Sequence, residues 1–235
     1  MLESRGVPSV AIGAVRVQME KTQPPRGLFV PFQLGRPLGE PEDVAFQRRV
    51  LLQALRLLER TDGPVILEDF PDDPPGWFDT PGWVPPVVLA VGTPDTPVAW
   101  QAAFAAELAA LQPAWQRART RFGRSTVGLS FVAPAEWPGL VAQFLGGALP
   151  TVPGHATAAL TLRFLCDDIK ALYGEAGQAD GRAPSARQLD GWFWRGTLGG
   201  RLLVALRAVA MASENNALKT VGGRFFVPVP WLPAG

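Results

Sequence analysis

The chain has 235 residues, of which 47% are hydrophobic and 18% charged, so it can bury a sizeable core and does not have the composition of a disordered protein. Its 22 basic and 21 acidic side chains leave a net charge of +1, so neither nucleic acid nor an anionic membrane is an expected partner. No apolar run reaches the roughly 18 residues of a membrane span, and no signal-peptide pattern opens the sequence. A cytoplasmic location is expected.

The cysteine and histidine content excludes several kinds of site. Cys166 is the one cysteine and His155 the one histidine, so an internal disulfide, a cysteine-rich zinc site and a multi-histidine metal site are excluded. Cys166 precedes two aspartates, which would raise its pKa, so we expect a core thiol. His155 can be a general base or an ordinary loop residue, and both alternatives stay open. No cofactor and no metal ion are predicted.

The first part of the chain predicts strands that alternate with helices. The expected strands are 7–17, 28–30, 65–67, 87–91 and 126–132, and the expected helices are 42–60, 100–122 and 136–145. Pro41 is expected to open the helix at 42–60, and Pro113 to interrupt the helix at 100–122.

The last third of the chain predicts mainly helices. A helix is expected at 156–175, with one of Asp167 and Asp168 buried and held by Arg163, Lys170 or Arg187. Ser185, followed by Gln188 three residues later, has the pattern of a capping box, and Thr197 is a second helix start. The expected elements after Thr197 are a helix over 202–217 and an edge strand over 224–229.

The order of these elements indicates an α/β fold, with a mainly parallel sheet, flanking helices and a helical C-terminal portion. We expect an α/β domain over 1–147 and a helical lobe over 148–235, with the boundary near 146–155. The two parts can also form one continuous domain.

Two loops carry the candidate binding residues. The proline-rich loop at 24–41 contains Arg26 and Arg36, which can bind a carboxylate or phosphate, or pin the loop to acidic neighbours. The acidic loop at 68–85 begins with Glu68 and Asp69. Its carboxylates could hold magnesium, but a solvated loop with caps and turns is the favoured interpretation.

Three short blocks of the sequence resemble a known family. They are GVPSV at 6–10, PFQLGRPLGEP at 31–41 and FQRRV at 46–50. In this order they are similar to the C-terminal region of component B of the glycine, sarcosine and betaine reductases (selenoprotein B), a family related to D-proline reductase. The resemblance covers residues 6–60, and no comparable similarity extends over 70–235.

The resemblance implies reductive cleavage of a carbon–nitrogen bond in a small amino-acid-like substrate. The family uses a selenocysteine-x-x-cysteine or cysteine-based motif upstream of the first block, and this sequence contains no such motif. The motif can lie on a partner chain, the lineage can have lost the chemistry, or the native start can lie upstream.

If the motif lies on a partner chain, this chain is a reductase subunit. Arg26 or Arg36 would hold a substrate carboxylate, and Glu68 or Asp69 would hold an ammonium group or relay a proton. The alternative function is a non-catalytic accessory or scaffold subunit that binds partners through its tryptophan-rich helical lobe.

Overall fold

The computed structural model describes residues 2–32, 35–40, 42–73, 79–88, 92–180 and 183–232. The chain divides into two compact units, Met1–Phe78 and Asp79–Gly235. The boundary expected near 146–155 is a different division of the chain, and it falls inside the second unit.

The first unit is built on a small parallel sheet. Its strands are β1 (Ala11–Gly13), β2 (Arg26–Phe29) and β3 (Ile66–Asp69), with β2 in the centre. Helix α1 (Arg16–Thr22) connects β1 to β2, and helix α2 (Val44–Arg56), followed by a 3₁₀ turn (Leu57–Glu59), lies between β2 and β3. The predicted α/β class is confirmed, since helices connect parallel strands as this class requires.

One face of α2 supplies much of the core of the first unit. The helix begins after Asp43, whose carboxylate accepts the backbone N–H of Phe46 at 3.0 Å. Phe46 is buried with Phe32 and Phe70, and the three ring centroids lie 5.4 to 5.7 Å apart. Edge-to-face and tilted packing of this kind is favourable for aromatic rings. Pro41, expected to open the helix, lies outside the described residues.

The second unit is helical. Its helices are α3 (Pro97–Phe122), α4 (Trp137–Leu145), α5 (Ala158–Gly177), α6 (Ala186–Gly196), α7 (Leu198–Ala212) and α8 (Asn216–Val221). The interruption expected at Pro113 is absent, because Pro113 stays inside the continuous helix α3. The helical C-terminal portion predicted from the sequence is confirmed. Its core includes the fully buried Trp137 and Tyr173.

Two helix starts in this unit follow the sequence signals. The Ser185 hydroxyl accepts the Gln188 backbone N–H at 3.1 Å, and the Gln188 side chain returns to the Ser185 N–H at 3.0 Å. Thr197 caps α7 by accepting the Gly200 N–H at 3.0 Å. Both predicted starts are confirmed, because a capping signal acts within a few residues.

Several predicted strands are wrong or shorter than expected. Only Ala11–Gly13 of the stretch 7–17 pairs as a strand, and α1 already begins at Arg16. Residues 126–132 form turns, because the backbone N–H groups of 128–130 bond to a carboxylate of α5 and to no strand. In the stretch 87–91, Val87 and Val88 are irregular and the rest lies outside the described residues.

The end of the chain also differs from the prediction. The helix expected over 202–217 ends at Ala212, and Asn215 caps a new helix by accepting two backbone N–H groups. The edge strand expected over 224–229 is wrong, because a π-helical turn (Gly222–Phe226) continues directly from α8. This turn buries Phe226 completely in the helical core, which a solvent-facing edge strand would not do.

Candidate functional site

Three of the four predicted substrate-binding residues, Arg26, Glu68 and Asp69, lie on the sheet of the first unit, and all four have an ion-pair partner within the chain. Arg26 begins β2, and its side chain is only 15% exposed. Its guanidinium donates to the Glu3 carboxylate at 2.9 Å and to the Arg60 carbonyl at 2.9 and 3.3 Å. The hydrogen bonds of Arg26 therefore hold the N-terminal segment and the turn before β3 against the start of β2.

Glu68 and Asp69 occupy the last two positions of β3. Adjacent strand residues point to opposite faces of a sheet, so these two carboxylates cannot act on one ligand from the same side. Glu68 forms an ion pair with Arg60, and Asp69 forms one with Arg16 of α1. The structure therefore does not bring the two predicted acidic residues together.

Arg60 is the centre of the polar contacts beside this sheet, although it was not among the binding residues predicted from the sequence. It pairs with both Asp62 and Glu68. Its hydrogen bonds to Asp62 lower the pKa of that carboxyl to about 2, and the same contacts raise the pKa of Arg60. We call Glu3, Arg26, Arg60, Asp62 and Glu68 the sheet charge cluster.

The sheet charge cluster carries three carboxylates against two guanidinium groups, a formal excess of one negative charge. A hydrogen bond from the Ser9 backbone N–H lowers the pKa of Glu3, so this carboxylate is also charged at neutral pH. A net negative cluster attracts an ammonium group more readily than a carboxylate. No local pattern could have linked Glu3 or Arg60 to Arg26, because these contacts join residues 23 and 34 positions apart in the sequence.

Arg36 differs from Arg26 in its exposure. It pairs with Glu40, four residues further along the same loop, and its side chain is 44% exposed. An exposed ion pair contributes little to stability and is easily replaced by another anion. Of the two predicted arginines, Arg36 is the one whose charge remains available to a ligand.

Two further acidic residues of the stretch 68–85 belong to different units. Asp72 pairs with Arg49 in the first unit, whereas Asp79 pairs with Arg187 in the second. Among the residues that the structure describes, no three His, Cys, Asp or Glu side chains converge on a position where a metal ion could bind.

Cys166 lies on α5 and is completely buried. Burial raises the pKa of the thiol far above its ordinary value; the charge of Lys170 opposes this rise and that of Asp167 adds to it. The expectation of a core thiol is confirmed. A thiol in this environment stays protonated and is a poor nucleophile at neutral pH.

Asp168 is the buried aspartate that the sequence predicted, but the predicted partners are wrong. Its carboxylate accepts the backbone N–H groups of Gly128, Leu129 and Ser130 at 2.8 to 2.9 Å and the Ser130 hydroxyl at 2.6 Å. Asp167 takes the cationic partners instead, with Lys170 at 2.8 Å. The four hydrogen bonds give Asp168 a structural role.

His155 lies in the loop before α5. Its Nε2 is 3.0 Å from the Leu129 carbonyl oxygen, and its ring packs between Phe131 and Phe164. Its Nδ1 is buried without a hydrogen-bond partner in the described part of the chain. This arrangement joins two loops, and among the described residues no hydroxyl or thiol is hydrogen-bonded to the histidine, as the activation of a nucleophile would require.

Trp192 and Trp194 of α6 both belong to the core of the second unit. This confirms the core role expected for Trp192, whose indole N–H donates to the Val87 carbonyl at 2.6 Å, and it contradicts the expectation that Trp194 presents a partner surface. The tryptophan-rich helices therefore contribute their rings to the interior of the fold.

Comparison with known proteins finds no matching family profile, no similar curated protein and no similar solved structure. None of the helices in the described ranges combines the length and the apolar character needed to cross a bilayer.

Proposed function

We propose that this chain is a subunit of a reductase complex of the glycine, betaine and D-proline reductase type. It would act in the reductive cleavage of a carbon–nitrogen bond, with the reactive thiol or selenol supplied by a partner chain. The observation that carries this proposal is the position of the resemblance. Residues 6–60 fall within the compact unit Met1–Phe78, where they form β1, β2 and α2.

The state of the thiol also supports a partner chain. Replacing a C–N bond by a C–H bond needs two electrons, which a dithiol or a selenol–thiol pair can supply as it is oxidised to an S–S or Se–S bond. Cys166 cannot take this role because it is single, buried and protonated. We therefore propose that the electrons come from another polypeptide.

The charges of the first unit suggest how an amino-acid-like substrate would be divided between its two ends. The exposed Arg36 would hold the carboxylate by exchanging its partner Glu40 for the ligand. The net negative sheet charge cluster would attract the ammonium end of the substrate, and Glu68 is the residue of the cluster predicted to bind it. Arg26 would position the cluster through its bonds to Glu3 and Arg60.

A second candidate function is a non-catalytic accessory or scaffold subunit. It is favoured by one observation: Arg26, Arg36, Glu68 and Asp69 all have ion-pair partners within the chain. Side chains that neutralise one another can serve the fold alone, with no substrate bound between them.

The test uses the complex purified from the native host through a tag on this chain. Native mass spectrometry should show a companion with a Cys-x-x-Cys or selenocysteine motif, and the complex should cleave glycine, betaine or D-proline with dithiothreitol as reductant. Alkylation of the companion should abolish turnover, whereas the C166A variant should retain it. Turnover by the isolated chain, or its loss in C166A without unfolding, would contradict the proposal.

Variants of the predicted binding residues separate the two candidate functions. If the chain binds substrate, R36M should raise KM about tenfold or more, because one charged hydrogen-bonded contact is lost. The matched control is R124M, which removes an exposed arginine of the second unit. An intact complex whose KM and kcat are unchanged in both R36M and E68Q would favour the accessory subunit.

A further inference from the structure

Helix α2 carries apolar side chains on two opposite sides. One side packs Phe46, Val50 and Ala54 into the core of the first unit. The other side exposes four aliphatic residues: Val44 (72%), Leu51 (43%), Leu52 (38%) and Leu55 (54%). At about 100° per residue these four lie within a single stripe. A surface helix normally places polar residues on its outer side, whereas this outer side carries a stripe of exposed apolar side chains.

Two opposite charges flank the leucines of this stripe along the chain: Arg48, between Val44 and Leu51, and Glu59, after Leu55. Arg48 is in the first half of α2 and Glu59 is in the 3₁₀ turn that continues it, and both are exposed. Neither forms an ion pair within the described part of the chain. Eleven residues separate them, about 16 Å along a helix, so they cannot pair within one chain.

We propose that this outer face of α2 binds the same face of a second copy of the chain. The two helices would run antiparallel about a two-fold axis. In such a pairing residue i opposes residue j and residue j opposes residue i. With the axis between residues 53 and 54, Arg48 faces Glu59 of the partner subunit, and Leu52 faces Leu55 of the partner subunit. Each contact occurs twice.

The charge pattern is the reason to choose a second copy as the occupant. The Arg48–Glu59 pair and the Leu52–Leu55 pair share one midpoint, so a single two-fold axis satisfies both pairs. An unrelated partner protein would not require this internal symmetry. The inference is independent of the proposed reductase function, since the stripe contains none of the predicted substrate-binding residues.

The size of the face sets the strength of the association. Four aliphatic side chains on one helix form a contact below the standard size of a stable interface. We therefore expect a reversible dimer whose population rises with protein concentration. Because two ion pairs between exposed side chains form across the interface, salt should weaken the dimer.

Sedimentation velocity over a range of protein concentrations tests the proposal through charge reversal. R48E places two pairs of like charges across the interface, and E59R does the same with the opposite sign. Each single variant should raise the dimer Kd about tenfold or more, whereas R48E combined with E59R should restore it to near the wild-type value. L55D should abolish the dimer, because it buries a carboxylate in the apolar centre.

Restoration of the dimer Kd in the double variant is the decisive result, since Arg48 and Glu59 are too far apart to interact within one chain. R124E, at an exposed arginine of the second unit, is the matched control and should leave the Kd unchanged. Far-UV circular dichroism checks that every variant is folded. A wild-type chain that stays monomeric at all concentrations, a dimer insensitive to the single reversals, or a double variant that fails to dimerise would overturn the proposal.

Discussion

The buried carboxylate of Asp168 accepts a hydrogen bond of 2.6 Å from the hydroxyl of Ser130, 38 residues earlier in the chain. Three backbone N–H groups complete its environment: those of Gly128, Leu129 and Ser130, at 2.8 to 2.9 Å. The charge of this aspartate is therefore compensated by oriented dipoles of the loop before α4. Asp168 holds this loop in place, and the N–H and hydroxyl groups of the loop stabilise the carboxylate of Asp168.

Removing this charge should destabilise the second unit. In D168N one carboxylate oxygen becomes an NH₂ group that faces the donors, which leaves buried groups unsatisfied. We expect a loss of about 2–4 kcal/mol in the free energy of unfolding. Denaturant titration followed by far-UV circular dichroism measures it.

The matched control for this prediction is D180N. Asp180 pairs with Arg117 at 3.0 Å, but its side chain is 76% exposed, so the loss should stay below about 1 kcal/mol. Equal stability of D168N and D180N would show that the buried contacts do not carry the energy assigned to them.

Asp168 also shows where sequence reasoning reached its limit. The alternation of apolar residues in 126–132 suggests a strand, because pattern alone does not reveal which group satisfies the backbone. Here a carboxylate about 40 residues away accepts the N–H groups that a neighbouring strand would otherwise accept. By contrast, Ser185 and Thr197 act on N–H groups of their own helix, so both helix starts could be predicted.

The candidate site shows the same division between local and distant contacts. Arg26 and Glu68 were identified by residue type and by their place beside strands. Arg60 was not, because its role depends on parallel pairing that places Leu28 beside Glu68 and on a turn that returns the chain to Arg26. The loops predicted at 24–41 and 68–85 begin too early, because Arg26 lies in β2 and Glu68 lies in β3. The pairing of these charges follows from the register of the sheet.

The charge pairing around Arg60 can be tested by titration. In R60M the hydrogen bonds to Asp62 are lost, so the pKa of Asp62 should rise from about 2 towards its ordinary value of 3.8. Carbonyl NMR shifts recorded against pH measure this value directly. In R124M, which leaves the cluster intact, the Asp62 pKa should remain near its native value. An unchanged pKa in R60M would mean that Arg60 does not hold this carboxylate in solution.

Tyr173 should make the protein sensitive to alkaline pH. Its hydroxyl donates to Glu107 at 2.6 Å, and burial, followed by the charge of Glu107, raises its pKa well above 10. Above pH 10 the unfolded chain releases this proton while the folded chain keeps it. The free energy of unfolding should therefore fall with rising pH, by up to about 1.4 kcal/mol per pH unit.

The chain contains one tyrosine, so tyrosinate absorbance reports on this residue alone. The absorbance should appear only as the protein unfolds. Y173F should reduce the alkaline slope, although it costs about 1–2 kcal/mol at neutral pH through the lost buried hydrogen bond. Ionisation of Tyr173 near pH 10 in the folded protein would contradict its burial.

Glu175 should produce the opposite dependence at acidic pH. Burial raises its pKa, but hydrogen bonds from Thr126, Trp115 and Ser125 outweigh this effect, so the net pKa lies below 4.5. The contribution of Glu175 to the free energy of unfolding is therefore fully present above pH 4.5, and it is lost as the pH falls through the pKa of the folded state. E175Q should flatten the acid limb of the stability curve, whereas the exposed control E214Q should not. Identical acid limbs in wild type and E175Q would refute the assignment.

The thiol of Cys166 should be inert until the protein unfolds. Alkylation requires the thiolate, and burial both raises the thiol pKa and blocks access of the reagent. Iodoacetamide should label the folded chain far more slowly than the guanidinium-unfolded chain, which serves as the internal control. Mass spectrometry of the intact protein measures the fraction of chains that carry the label. Labelling at the same rate in both states would show that the thiol of the folded chain is accessible and ionises, which would contradict its burial.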